Sequence, residues 1–167
     1  MGLPLLYLDV DGPLIPFGGA VREYELEADV ELCNPLLARV NPALGPRLLA
    51  LGCHLIWATT WVDEANECIA PLLGLPALPV LTWPGSFEDE HDARIGLHWK
   101  TRRIVDHAAG LPFVWIDDET TDTDRAWVAA HHSGPALLHT VAPSVGLTAE
   151  DIDTIAAWQH RAVQEGK

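Results

Sequence analysis

Residues 5–14 read "LLYLDVDGPL". An unbroken apolar run stops on two carboxylates, Asp9 and Asp11, with one residue between them and Gly12 behind. Consecutive rather than alternating apolar residues mark a strand buried on both faces, as in a parallel sheet covered by helices. In extended chain, residues i and i+2 face the same way, so Asp9 and Asp11 share a side. Two like charges there repel unless a cation stands between them, so the pair calls for a chemical purpose.

The rest of the chain repeats the pattern. Five apolar segments read as strands: 3–10, 54–60, 78–82, 113–117 and 136–140. Helical stretches fall between them at 42–51, 63–73, 101–109 and 122–132, followed by Gly52, Gly74, Gly110 and Ser133-Gly134, where left-handed C-caps are placed. The last helix starts at Thr148, with Asp151 three residues on in a capping-box arrangement. This alternation predicts a three-layer, Rossmann-like α/β fold with a five-stranded parallel sheet and helices on both faces. The 167 residues fit one domain, 1–167. Segment 21–33 breaks the rule: "EYELEADVEL" alternates apolar and acidic residues, the period of a half-exposed strand or hairpin. It is expected to form a small acidic flap near the first strand's end.

Composition narrows the setting. Hydrophobic residues make up 49% and charged residues 20%, and no apolar run nears the roughly 18–20 residues a membrane helix needs. The N-terminus lacks the basic region of a signal peptide, and Leu6 stands where a myristoylation signal has Ser or Thr, so the expected location is cytoplasmic, without membrane attachment. Cys33, Cys53 and Cys68 show no C-x-x-C spacing and read as reduced thiols. The formal net charge is −14, from 24 acids against 10 Lys and Arg, which argues against extended nucleic-acid binding. A polyanionic substrate would be held locally, against the overall field.

Open α/β sheets bind ligands at the carboxyl ends of their strands. This sequence puts Asp9 and Asp11 at the first such end, Thr59 and Thr60 at the second, and Asp117 and Asp118 at the fourth, with Lys100 opening the preceding helix. The set suits a phosphate monoester. One carboxylate, Asp9, attacks phosphorus and forms an acyl phosphate. A second, Asp11, protonates the leaving oxygen and then activates water. Gly12 lets the chain turn and leaves room for substrate. Clustered oxygen ligands beside a phosphate point to Mg²⁺. A threonine hydroxyl and the Lys100 ammonium hold the remaining phosphoryl oxygens.

These motifs resemble the haloacid dehalogenase (HAD) superfamily of phosphohydrolases across the chain and in the family's order. "LDVDG" is similar to its first motif, "LIWATT" to its second, Lys100 in "HWKTRR" to its third and "VWIDDE" to its fourth. "WATTWVDEAN" and "FVWIDDE" further resemble a bacterial subgroup of HAD domains of RNA-repair proteins. The resemblance implies Asp9 as nucleophile and Mg²⁺ ligand and Asp11 as acid/base with its carbonyl on the metal. It implies Thr59, ahead of Thr60, as the phosphate contact. Lys100 would neutralise the intermediate, and Asp117 and Asp118 would complete the metal site, with Asp122 assisting from the next turn. The family's two cap positions hold too little chain for a cap domain, which implies an open site suited to phosphoproteins, nucleic-acid ends or nucleotides.

Two other functions compete: a metal-dependent nuclease, which has no particular need of Lys100, and a non-catalytic HAD-like module binding a basic protein partner. A phospho-receiver domain has its acids in a different order. Around the rim, Trp61, Trp83 and Trp99 offer a stacking surface for a base, and Arg102 and Arg103 read as a solvated helix face that could steer an anion. Asn66 is a loop brace or a solvent-facing residue, segment 86–92 a solvated acidic loop, and the histidines, His91 and His98 included, surface or packing residues.

Overall fold

The computed structural model describes residues 2–26, 34–83 and 90–165. Strands β1 (Leu5–Leu8), β2 (His54–Trp57), β3 (Phe113–Asp117) and β4 (Ala136–Thr140) form one parallel sheet in the order β2-β1-β3-β4. Leu5 pairs with His54 on one side and Phe113 on the other, so the two central strands run in step to their carboxyl ends. Helices α1 (Leu44–Ala50), α2 (Ala70–Leu73), α3 (Glu90–Ile95), α4 (Thr101–Ala108), α5 (Asp122–His131) and α6 (Ala149–Glu165) surround it.

The two-residue period of the strands divides the core in two. Leu6, Leu8, Leu55, Trp57, Val114 and Ile116 face α1, α2 and α6. Leu5, Tyr7, Ile56, Phe113 and Trp115 face α4 and α5. Both faces are dry, which is why the strand sequences are continuous in their apolarity. Thr148 caps α6 as the sequence suggested: Asp151 Oδ2 accepts from the Thr148 N–H at 2.7 Å, and Thr148 Oγ1 accepts from the Asp151 N–H at 3.2 Å.

The sheet has four strands, not five. Segment 78–82 touches β2 at one bridge, Trp57 to Val80, with the Trp57 N–H on the Pro79 carbonyl and the Leu81 N–H on the Trp57 carbonyl. Pro76 and Pro79 have no N–H to donate, so an edge segment spaced by them cannot extend the ladder. Helix 63–73 is interrupted: a π-helical turn at Ala65–Ile69 runs into α2. Ser133-Gly134 does not cap α5, which ends on an extended His132; Gly134 instead packs where a side chain would strike the Gly110 carbonyl. Part of the expected acidic loop 86–92 is the start of α3, with Asp92 buried in it. The expected flap at 21–33 shows no strand over 21–26, where the Tyr24 N–H reaches the Ala38 carbonyl; the remainder lies outside the described residues. Among the described residues, no helix is long and apolar enough to cross a membrane.

Candidate active site

Strand order reverses direction around β1, so the crevice between the ends of β1 and β3 is where an α/β sheet opens to ligand. Asp9 follows β1 directly and its N–H is held by the Ile116 carbonyl of β3. Asp117 ends β3. The two carboxylates therefore meet at the rim, and Lys100 joins them: its Nζ lies 3.0 Å from Asp9 Oδ1 and 2.8 Å from Asp117 Oδ2. Lys100 is 3% exposed. Burial alone would lower its pKa, but Asp9 and Asp117 outweigh that and raise it, so it stays an ammonium. Asp9 is pushed up to about 7 by burial, against the pull of Lys100. Asp118 is pushed up to about 6, by burial and then by its neighbour Asp117.

Asp117 is the most committed of the three acids. Its Oδ2 also accepts from Trp115 Nε1 at 3.2 Å, and its Oδ1 accepts from the Glu119 N–H at 3.0 Å. Asp118 has fewer such ties and lines a cleft of about 220 Å³ with Asp9, Asp11, Thr60 and Lys100; Phe17 and Trp99 flank it. Carboxylate oxygens of Asp9, Asp117 and Asp118 lie within 4.8 Å of one another. A hard, all-oxygen donor set beside an ammonium fits Mg²⁺ rather than a softer metal.

Gly12 makes the turn expected of it, and its missing side chain leaves room for a neighbouring carboxylate. Its φ is +96°, and a Cβ there would stand 2.6 Å from Asp118 Cγ. The Asp118 carboxylate stands in the space left by the missing side chain.

The structure also separates the two threonines. Thr60 is exposed and lines the cleft, whereas Thr59, the preferred phosphate contact on sequence grounds, is fully buried with its Oγ1 accepting from the Trp61 N–H at 3.2 Å. Asp122 is solvent-exposed and pairs with Arg125 at 3.3 Å, at no point joining the cleft lining. Arg102 clamps Asp92 and Arg103 holds the Thr82 carbonyl, so each is tied into structure. Asn66 is a brace: its Oδ1 accepts from Trp57 Nε1 and the Leu78 N–H, and its Nδ2 donates to the Leu78 carbonyl. Trp99 lines the cleft and meets Trp83 edge-on at 4.7 Å.

Two residues support the site: Asp124, which was not singled out from the sequence, and His98, which was read as a surface or packing residue. Asp124, fully buried on α5, accepts from the His98 N–H at 2.7 Å, Thr101 Oγ1 at 2.8 Å and the Thr121 N–H at 2.8 Å. It ties the Lys100 segment to α5; the only trace in the sequence is its place three residues after Thr121, a capping-box spacing. His98 lies against Asp117 and Glu119, with Nε2 at 4.0 and 3.4 Å from their oxygens. Its Nδ1 accepts from the Lys100 N–H at 3.1 Å. The neutral ring therefore carries its proton on Nε2, the side facing the acids, where it makes no hydrogen bond among the described residues.

A family model described as the HAD domain in Swiss Army Knife RNA repair proteins matches residues 5–152. The chain belongs to the HAD superfamily. The matched span contains every strand, the cleft and all four motifs, so the HAD assignment and the site rest on the same residues, and it places the chain among HAD-family hydrolase domains. A search of curated proteins returns no match.

Proposed function

We propose that this HAD domain is a Mg²⁺-dependent phosphomonoesterase working through an aspartyl phosphate on Asp9. The observation that carries the reading is the buried Asp9–Lys100–Asp117 linkage opening onto a cleft that also holds Asp11 and Asp118. Asp9, at the cleft floor, attacks phosphorus through a carboxylate oxygen and displaces the ester oxygen. Asp11, exposed at the mouth, gives that oxygen its proton and then takes one from the water that cleaves the acyl phosphate. Lys100 offsets charge on the phosphoryl oxygens in a site where little water screens it. Thr60, on the cleft wall, is assigned the hydroxyl contact in place of Thr59. Asp117 keeps Lys100 aimed. Asp9 and Asp118, with the Asp11 carbonyl as the family pattern implies, would hold Mg²⁺, which would supply charge neutralisation for the phosphate and for the two raised carboxylates.

The substrate class proposed is a terminal phosphate on a nucleotide or RNA end. The matched family's description favours it, and the flanking aromatics Phe17 and Trp99 suit a base or another flat group beside the phosphate. The net charge of −14 favours a short end contact over a long tract. Hydrolysis of an aryl phosphate with Mg²⁺ tests the activity. Turnover abolished by EDTA and by Asp9→Asn supports it; turnover that survives Asp9→Asn would falsify the nucleophile assignment. Mononucleotides, RNA 3′- and 5′-phosphates and phosphopeptides, compared by kcat/KM, test the substrate class.

A further inference from the structure

We propose that Trp61 is a positioning residue for the acid/base Asp11, an assignment that rests on the phosphatase reading above. Its indole Nε1 donates to Asp11 Oδ2 at 3.1 Å, joining residues fifty positions apart. An indole N–H only donates: it cannot accept, and it has no charge to gain or lose. It can therefore fix one oxygen of the carboxylate while the other stays free to exchange a proton with the leaving group.

The local chain is built to hold this donor. Thr59 Oγ1 accepts the Trp61 N–H at 3.2 Å, and the Trp61 ring packs against the core that includes Leu8 and Ile15. The next residue, Val62, sits at φ +49°. A β-branched residue in that region is strained, and such strain persists only where the surroundings impose it. Trp61 is not among the described residues lining the cleft, where Trp99 and Phe17 supply the aromatic surface. Its polar edge is spent on Asp11, which sets it apart from the stacking role suggested by sequence position. The device recurs at the rim. Trp115 Nε1 holds Asp117 Oδ2 at 3.2 Å, and Trp83 Nε1 holds the Thr59 carbonyl at 3.3 Å. Buried Thr59 thereby acquires a function as the support of the turn that carries Trp61.

The test compares Trp61→Phe, which keeps a packed ring and removes the N–H, with wild type on two substrates. A general acid matters for a poor leaving group and little for a good one. The expected result is a fall in kcat/KM of roughly tenfold for an alkyl phosphate, part of the ~10²–10⁴ that general-acid catalysis supplies. The fall should be under about twofold for 2,4-dinitrophenyl phosphate, whose leaving group needs no proton. In an Asp11→Asn background, Trp61→Phe should add nothing, as expected of residues acting as a unit. Equal losses on both substrates, or an undiminished effect in Asp11→Asn, overturn the proposal. The contact itself is read without activity, from the Trp61 indole ¹H–¹⁵N resonance: it should move on Asp11→Asn, and an unmoved resonance overturns the assignment. A wild type inert toward every phosphomonoester is a different outcome; it removes the phosphatase reading and this proposal with it.

Discussion

Asp118 occupies the space that any side chain at Gly12 would need, since a Cβ would come within 2.6 Å of its carboxyl carbon. Gly12→Ala is therefore expected to displace the carboxylate, and to weaken Mg²⁺ affinity by about 10–100-fold, the range seen when the surroundings of a metal ligand are disturbed. Isothermal titration with Mg²⁺ measures it. Lys100→Met leaves Asp9 and Asp117 buried together without their cation. The expected loss of stability is about 3–5 kcal/mol, read by urea denaturation at neutral pH. Much of this residue-level placement was legible in advance. Asp9, Asp11, Lys100 and Asp118 fall at strand and helix ends whose positions the apolar runs fix, and all four line one cleft. The different surroundings of Thr59 and Thr60 were not legible, because two adjacent threonines at a strand end carry no local mark of which one is buried. Gly12 was legible as a turn, but the group that fills its space comes from just past β3, more than a hundred residues later.

At the scale of elements, the Asp124 carboxylate ties the Lys100 segment to α5. Asp124→Asn leaves an amide whose NH₂ cannot accept, so about half of the acceptor capacity is lost. At about 1.5 kcal/mol for each hydrogen bond to a charged acceptor, losing two predicts about 3 kcal/mol of destabilisation. A lower kcat should accompany it as Lys100 loses its support; thermal melts and steady-state kinetics read the two effects. Helix α3 is anchored to α4 by Arg102, whose Nε and Nη2 each lie 2.6 Å from an Asp92 oxygen. The Asp92 anchor left no mark in the sequence, and Asp124 left only its capping-box spacing after Thr121. Segment 86–92 is dense in acids, and nothing in the sequence marks Asp92 for burial; its partner is on another helix, and residues 86–89 lie outside the described residues. The fifth strand failed for the opposite reason: its apolar pattern was right, but Pro76 and Pro79 limit what the backbone can pair.

Across the whole molecule, four carboxyls set opposing slopes of stability against pH. Asp92 is held below the ordinary carboxylate value by Arg102. Asp151 is also lowered: burial acts to raise it, but hydrogen bonds from Thr148 and His139 prevail. Their stabilisation is present above about pH 3.9 and is lost as pH falls through their lowered values. Asp118 and Asp9 are raised, to about 6 and about 7. For a raised acid the sign reverses: folding favours the protonated form, so stability is full below about pH 3.9 and declines as pH rises through the folded value. The metal-free protein is expected to have its highest Tm near about pH 4–5 and to lose stability toward pH 8, with its acidic net charge adding to the decline. Mg²⁺ should raise Tm more at pH 8 than at pH 5, and Asp118→Asn should flatten the alkaline slope; melts across pH with and without Mg²⁺ check both. The architecture was the most legible level of all, because a sheet with two dry faces writes itself as continuous apolar runs, and β1 through β4 each fall on one.

Chemical trapping of the intermediate tests the central claim most directly. The protein is mixed with Mg²⁺ and an aryl phosphate, quenched with borohydride during turnover, digested, and its peptides weighed by mass spectrometry. The expected result is reduction of Asp9 alone to homoserine, dependent on substrate and absent with EDTA. Steady turnover with an unmodified Asp9, or trapping at another carboxylate, would contradict a covalent phosphoryl transfer to Asp9.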